Sequence, residues 1–341
     1  MGNAIPTIQD WKNLFDAALK FKKIAPWQWM WDSDIFGVQN PANGEIGYCC
    51  IMGAAKEIYA LAVYQGSEGL ESYLRLNTKY HSESLFDLYT LQKCVMLSFE
   101  DRANLTNEDL QIIKSLGLQF RGHNEWPLFR SFRPGFFPWF IAKEEAEFLT
   151  VAIHQAIEVA LQFEKNPNLL SSIDEDYYLV RVPHIENDAI VWKNELLKTQ
   201  PYKEFEIKTK PVDEKLLERI NKLHILQKDT WEIDYFFYPS AVKEKNERPF
   251  YPYIILWVDH RSGYILHHHL ANDKQELAKI PELFLHFIEY FNSIPKTIIT
   301  KHEMTYQLLE PVAKSLNINL IKKEKLKGIE EAQIAFFENL R

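Results

Sequence analysis

Glycine and cysteine are scarce in this chain: its 341 residues hold 12 Gly and 3 Cys, with 16 Pro. So little glycine and proline excludes collagen-like, linker-like and low-complexity architectures. The three thiols, Cys49, Cys50 and Cys94, are odd in number and two are adjacent, a spacing that rarely meets disulfide geometry. No Cys-x-x-Cys or Cys/His ligand spacing occurs, so the thiols read as buried groups in a reducing compartment. The first ten residues lack a basic stretch followed by an apolar one, and Pro6 stands where a myristoylation motif wants Ser or Thr. The longest apolar stretch outside helices, Cys49–Ala55, is far too short to span a bilayer. These absences predict a cytoplasmic protein with no membrane partner. A Gly-rich phosphate loop, a nucleophile elbow and an HExxH motif are also missing, and the enzyme classes that depend on them lose their support.

What is present is apolar and aromatic. Hydrophobic residues make up 46% of the chain, aromatics 14% and charged residues 25%, enough to build a packed core and to exclude general disorder. The net charge of −8 is uneven. Residues 1–200 carry 18 Lys/Arg against 26 Asp/Glu, whereas residues 201–341 carry 21 of each. An acidic N-terminal half is a poor non-specific surface for nucleic acid, since phosphate neutralisation needs Lys and Arg.

Periodicity divides the chain into an α+β domain over 1–200, a linker and helix over 201–227, and a second domain over 228–341. In the first part, Gln9–Lys23 has a helical stripe stopped by Pro26. Ile35–Val38, Ile46–Met52 and Glu57–Tyr64 read as an antiparallel meander, followed by a helix over Gly66–Leu76 and a strand over Leu91–Phe99. Thr106, with Asp109 three residues on, opens a short helix that Gly117 ends. Phe129–Phe140 reads as an aromatic loop studded with Pro and Arg. Lys143–Phe163 is apolar on most faces and reads as a core helix. Tyr177–Pro183 and Ala189–Lys193 form a hairpin, and Thr199–Val212 is the best linker. In the second part a helix over Pro211–Leu223 precedes strands at Trp231–Tyr238, Tyr251–Asp259 and Tyr264–Leu270. A helix interrupted at Pro281, a strand at Lys296–Thr300, a helix at Glu303–Leu316, a strand at Ile318–Ile321 and a last helix at Gly328–Leu340 follow. The order β-β-β-α-β-α-β-α implies a mixed sheet covered by helices, with Trp231–Tyr238 central and Lys296–Thr300 buried on both faces.

That order resembles the ribonuclease H-like fold, and in particular the catalytic core of retroviral integrases and DDE transposases. Thr230-Trp-Glu-Ile-Asp234 looks like the family's Trp-x-x-Asp on its first strand. Val258-Asp259-His-Arg-Ser-Gly263 looks like the turn between its second and third strands, and Ile294-Pro-Lys-Thr-Ile-Ile-Thr300 like its Pro-x-x-Ile-x-Thr-Asp strand. The resemblance covers about residues 228–341. It implies that Asp234 is the first catalytic carboxylate and that Glu330 or Glu331, opening the last helix, is the third. The second belongs just after Thr300, where this chain has Lys301. An ammonium cannot ligate Mg²⁺. The resemblance therefore implies a degenerate site in which the Lys301 amine points toward Asp234 and balances its charge. The whole chain is also similar to a bacterial two-part family of domains of unknown function. That likeness rests on Phe36-Gly-Val-x-x-Pro41, Gly44-Glu-x-Gly47, Tyr59-Ala-Leu61, Val63-Tyr64-x-Gly66 and Phe132-Arg-Pro-Gly135.

Four further constellations have both a functional and an ordinary reading. Trp27, Trp29 and Trp31 stack a ligand or build a core. Arg130, Arg133 and Trp139 hold an anion or pair with the acidic half. His267 and His269 share a strand face with no third ligand in sight. Lys322, Lys323 and Lys325 meet phosphates or are a solvated loop. The sequence is read as a non-catalytic binding protein on a degenerate integrase-like domain, with no cofactor and an unidentified protein partner. Nucleic acid is the other partner class, through the C-terminal domain. Two alternatives stand: a Mg²⁺-dependent nuclease using Asp234, Glu330 and Glu331, and a small-molecule enzyme with a site between the halves.

Overall fold

Adjacent residues on β2 (Ile46–Met52) feed different cores, because side chains alternate along a strand. Cys49 and Ile51 enter one hydrophobic cluster, while Tyr48 and Cys50 enter another. The two adjacent thiols therefore cannot meet, and burial pushes Cys50 up to about 12 and Cys49 further still. The computed structural model describes residues 4–77, 85–171, 174, 176–203, 213–223, 227–245 and 247–338. They form two compact units. Unit 1 comprises Met1–Thr78, Leu91–Pro134 and Pro138–Lys203, and unit 2 comprises Lys79–Thr90, Gly135–Phe137 and Glu204–Arg341.

Unit 1 is a seven-stranded mixed sheet. In chain order its elements are α1 (Ile8–Ile24), β1 (Phe36–Gln39), β2, β3 (Tyr59–Gln65) and α2 (Gly66–Asn77). The six-residue α3 (Leu85–Thr90) follows in the chain and belongs to unit 2. The rest of unit 1 is β4 (Cys94–Glu100), α4 (Asn107–Ser115), β5 (Trp126–Phe132), α5 (Lys143–Lys165), β6 (Tyr177–Glu186) and β7 (Ala189–Lys198). The strand order is β5-β4-β3-β2-β1-β6-β7, antiparallel except where β1 meets β6. α1 and α5 cover one face through Leu14, Phe15, Phe21, Leu149 and Ile153. On the other, Leu70 and Tyr73 of α2 cover Tyr48, Cys50 and Tyr64. Both Thr–Asp capping boxes form: Thr7 with Asp10 at α1, and Thr106 with Asp109 at α4.

Two readings of this half change. The first part of the aromatic segment 129–140 is strand rather than loop, since β5 alternates buried and half-buried residues on the edge of the sheet. The α5 helix lies on the sheet by one face only. Glu144, Glu147, His154 and Glu158 are exposed, so it is amphipathic and not a fully enclosed core helix. Trp27 is core, packed on Phe21, Tyr59 and Phe99, and the Trp29 indole donates to the Ala160 carbonyl at 3.0 Å.

Close packing makes α2 sensitive to a single methyl group. A Cβ on Gly69 would stand 2.6 Å from the Tyr64 carbonyl carbon and 2.8 Å from the Lys93 carbonyl oxygen, both backbone atoms that cannot rotate away. Gly69→Ala is expected to destabilise unit 1 by about 2 kcal/mol, because an overpacked site must shift main chain. Thermal denaturation checks this, with Ser67→Ala on the same helix as the control that leaves the melting temperature in place.

Unit 2 is a five-stranded mixed sheet. Its remaining elements are α6 (Glu214–Lys222), β8 (Gln227–Phe237), β9 (Tyr253–Asp259), β10 (Ile265–Ala271), α7 (Ile280–Phe291), β11 (Ile294–Thr300), α8 (Glu303–Ser315), β12 (Asn319–Lys322) and α9 (Lys327–Glu338). The order is β10-β9-β8-β11-β12, with β8–β9–β10 antiparallel and β8–β11–β12 parallel. Pro281 restarts rather than kinks its helix: a 3₁₀ turn over Lys274–Lys279 ends and α7 begins with Pro in its first turn. Ile298 and Ile299 are both buried, one on each face of β11. Trp231 packs on Phe284 and Phe287 of α7. On the other face Phe236, Leu256, Val258 and Ile299 pack with Leu326, Ile329 and Ala332.

Unit 2 also takes in two pieces of chain from before residue 200. Asp87 of α3 accepts from the Phe237 amide at 3.2 Å, and Phe86 packs edge-on against Tyr251 and Phe337. The Gly135 and Phe137 amides bond to the Thr90 and Pro249 carbonyls. Residues 204–212 of the expected linker lie outside the described residues. The helix expected over Pro211–Leu223 is α6, which begins after the Asp213 cap.

Candidate functional site

Strand β8 carries Glu232 and Asp234 two residues apart, on the face that also holds Phe236. Both acids are buried, at 0% and 1% exposure. A buried carboxylate is tolerated only when its oxygens are hydrogen-bonded. Asp234 meets that condition through the parallel neighbour β11. The register that sets Ile299 beside Glu232 carries on to bring Asp234 level with the end of β11 and the start of α8.

There the Asp234 carboxylate collects six donors. Its Oδ1 accepts from the Tyr235 amide at 2.9 Å, from His302 Nδ1 at 2.8 Å and from the Thr305 hydroxyl at 2.8 Å. Its Oδ2 accepts from the Thr300 hydroxyl at 2.9 Å and from the amides of Lys301 at 2.5 Å and His302 at 2.9 Å. Burial alone would raise its pKa. Electrostatic attraction to His302, with its ring and backbone hydrogen bonds and that of Lys301, outweighs this and holds Asp234 below the usual carboxylate range. The His302 ring also stacks on Tyr235, centroids 4.5 Å apart.

The geometry differs from the degenerate-site expectation in its cation. The imidazole of His302 meets Asp234, while Lys301 contributes a backbone N–H. Glu232 turns to the other helix. Its Oε2 accepts the Ile329 amide at 3.0 Å, and its Oε1 faces His260 Nδ1 at 2.5 Å. Gly328 allows this approach, since a Cβ there would stand 3.1 Å from Glu232 Oε2 and 2.7 Å from Val258. Glu331 lies at the protein surface near Lys327 at 3.8 Å, and Glu330 is half-buried in the first turn of α9. Asp234, Glu232 and Glu331 thus serve separate contacts. Among the described residues no three His, Cys, Asp or Glu side chains gather at metal-ligating geometry.

This arrangement does not fit a Mg²⁺ pair. A carboxylate offers about four lone-pair sites, and six protein donors already converge on Asp234. Glu303, two residues beyond Lys301, is paired with Lys322 at 2.5 Å. A magnesium centre needs open oxygen ligands from several carboxylates, and among the described residues no such group gathers here.

The other candidate residues fall into separate places. Arg130 forks onto Asp109 at 2.9 and 2.6 Å and lies over the Phe140 ring. Burial works against the charge on Asp109, but the Arg130 fork and the Thr106 amide overcome it and lower its pKa. Arg133 reaches Glu145 at 3.2 Å, and the Trp139 backbone pairs with Ser131. Lys323 donates its amide to the Thr300 carbonyl, and Lys325 is exposed. His267 packs between Trp257 and Phe287 on β10, and burial lowers its pKa and that of His269. Sequence reasoning misses His302, Thr305, Glu232 and His260. The available signals are strand alternation, which puts Glu232 beside Asp234, and the positions of His302 and Thr305 as the N-cap and third residue of the helix that follows Thr300.

The family model described as Domain of unknown function (DUF7309) matches residues 11–181. A second model, Domain of unknown function (DUF6930), matches residues 216–337. No curated protein matches the chain. Among solved structures, the HTLV-2 integrase catalytic core domain in complex with magnesium, in its trimeric and dimeric forms, is 20% identical. Each form covers 34% of this chain and 70% of its own, with a TM-score of 0.24. The simian T-cell lymphotropic virus intasome in complex with PP2A regulatory subunit B56 gamma is 23% identical over 34% of this chain and 43% of its own, also at 0.24. A likeness this weak carries no argument, and the chemistry of the site rests on strand order and on named side chains. No helix among the described residues is long and apolar enough to cross a membrane.

Proposed function

The chain belongs to the family of the domain of unknown function DUF7309, and from that premise we propose that it is a binding protein rather than an enzyme. In this reading unit 2 is an integrase-like, ribonuclease H-like domain kept as a scaffold, without cofactor, and the partner is a protein. The strand order 3-2-1-4-5 of its sheet and the place of Asp234 on the central strand support the fold assignment. One observation carries the functional half: the carboxylate that the integrase resemblance puts at the first metal position is consumed by six internal hydrogen bonds. Such a group holds a helix in place and has nothing left to offer a metal or a phosphate. Free, buried Cys49, Cys50 and Cys94 agree with a reducing, cytoplasmic setting.

Calorimetric titration of the full chain with Mn²⁺ tests the reading. No saturable heat is expected, and no metal-dependent cleavage of DNA or RNA. Lys301→Asp is expected to leave the titration flat as well, because a new carboxylate there would face an Asp234 already saturated by donors. Micromolar Mn²⁺ binding that Asp234→Asn abolishes would overturn the proposal and establish the nuclease reading. Capture from the native host under mild salt, with protein and nucleic acid both identified, then distinguishes the partner classes.

A further inference from the structure

The hairpin of β6 and β7 ends the large sheet of unit 1 and leaves a long edge open. Its turn, Asn187-Asp188, has both residues at positive φ (51° and 60°), the type I′ geometry that joins strands with two residues. In such a turn the flanking pair, Glu186 and Ala189, is hydrogen-bonded. The antiparallel ladder then alternates. Ala189, Val191, Lys193, Glu195 and Leu197 direct their backbone groups inward to β6, and Ile190, Trp192, Asn194, Leu196 and Lys198 direct theirs outward. Among the described residues no strand lies beyond β7. Ile190 and Leu196 are 58% and 55% exposed. Ten residues of exposed, partly apolar edge are a template for pairing with another strand.

The side chains of β7 specify which strand. We propose that β7 pairs antiparallel with β7 of a second copy of this chain, on a two-fold axis through Asn194, joining two seven-stranded sheets into one. An isologous contact requires each residue to face its complement under the two-fold. Outward residues must meet outward residues, which puts the axis on a residue of β7. An axis at Lys193 or Glu195 would set that charge opposite itself, and one at Val191 would set Lys193 opposite Ala189, which leaves Trp192, Asn194 and Leu196 as the central choices. An axis at Trp192 would set Lys193 opposite Val191, and one at Leu196 would set Glu195 opposite Leu197. Only the axis at Asn194 sets Lys193 opposite Glu195 of the other copy, twice by symmetry. The same register sets Trp192 opposite Leu196, Val191 opposite Leu197, and Ile190 along the stem of Lys198.

The charges are already arranged for this. Lys193 pairs with Glu186 at 2.6 Å and Glu195 with His184 at 2.7 Å within each hairpin, all at half-exposed sites. The cross-copy contact would link these pairs into one alternating row, and partly exposed ion pairs gain most when they form networks. At the axis, the Asn194 side chain needs no new partner. Its Oδ1 accepts from Arg181 at 2.7 Å and its Nδ2 donates to Gln162 at 2.9 Å.

Charge exchange on the full chain tests both the surface and the register. Sedimentation equilibrium should show a concentration-dependent dimer for the wild type. Lys193→Glu makes two Glu–Glu contacts across the axis and Glu195→Lys makes two Lys–Lys contacts. Each is expected to weaken self-association by roughly tenfold or more, since like charges directly opposite are destabilising. The equimolar mixture of the two variants places Glu opposite Lys at both contacts and should recover dimerisation as a heterodimer. Recovery in the mixture also shows that both variants are folded. A wild type that remains monomeric to several hundred micromolar overturns the proposal, as does a mixture that associates no better than either variant alone.

Discussion

Asp234→Ala is expected to unfold unit 2, or to leave it so loosened that its amides exchange together. The reason is the imbalance the substitution creates. Six donors converge on one carboxylate that is 1% exposed, and removing it strands two hydroxyls, three amides and an imidazole in an enclosed place. Breaking a buried charged pair by removing one partner costs about 3–5 kcal/mol, a large share of the roughly 5–15 kcal/mol that holds a typical domain folded. Asp234→Asn should recover only part of the loss, because its amide nitrogen is a donor placed against donors. Acid should act in the same direction. The folded-state pKa of Asp234 is lowered. Its contribution is therefore complete above the unfolded carboxylate pKa of about 3.9 and is lost as pH falls through the lower, folded value. Urea denaturation of wild type, Asp234→Asn and Asp234→Ala, followed by tryptophan fluorescence, measures the series. A metal-ligating Asp234 gives the opposite result, since removing one of several repelling carboxylates stabilises the metal-free protein.

That partnership is half legible in the sequence. Trp231-x-x-Asp234 and Thr300-Lys301, read as positions on two parallel strands, place the right backbone segments side by side, and the register agrees with the adjacency. Which side chain closes the contact is not legible. A strand pattern gives the level and the face of a residue, but the geometry of a helix N-terminus decides whether Lys301 or His302 turns inward. The strongest local signals transfer well: the Thr106–Asp109 cap, the hairpin turn after Asp259, and the interruption at Pro281. Readings based on composition fare worse. A high apolar count makes α5 look enclosed, although Glu144, Glu147, His154 and Glu158 are exposed along it. Prolines and arginines hide β5, which is compatible with them because it is an edge strand. The docking of α3 in unit 2 has no local signal at all, since six residues between two strands of one sheet say nothing about a bond from Asp87 to Phe237.

Glu232→Ala should detach α9 and leave α8 in place. Glu232 and Asp234 sit on one face of one strand, yet each serves a different helix. Asp234 ties the first turn of α8 to the sheet, and Glu232 bonds the Ile329 amide in the first turn of α9. The first four amides of a helix lack partners within it, and a carboxylate there also meets the positive end of the helix dipole. Glu232 is fully buried, so its loss strands the Ile329 amide beneath α9 and releases His260 from its 2.5 Å contact. The expected cost is about 3 kcal/mol, concentrated on the cluster of Leu326, Ile329 and Ala332 against Phe236 and Val258. Hydrogen exchange resolves the two helices. In Glu232→Ala the amides of 329–336 should exchange faster by a hundredfold or so, that free energy expressed as a rate ratio, while those of 306–315 keep their wild-type protection. His260→Ala should give a smaller change in the same segment, because it leaves the Ile329 bond intact, and Arg261→Ala in the same turn should give none. Equal loosening of α8 and α9 in Glu232→Ala would mean that the two carboxylates form one cooperative site, and the assignment of one acid to each helix would fail.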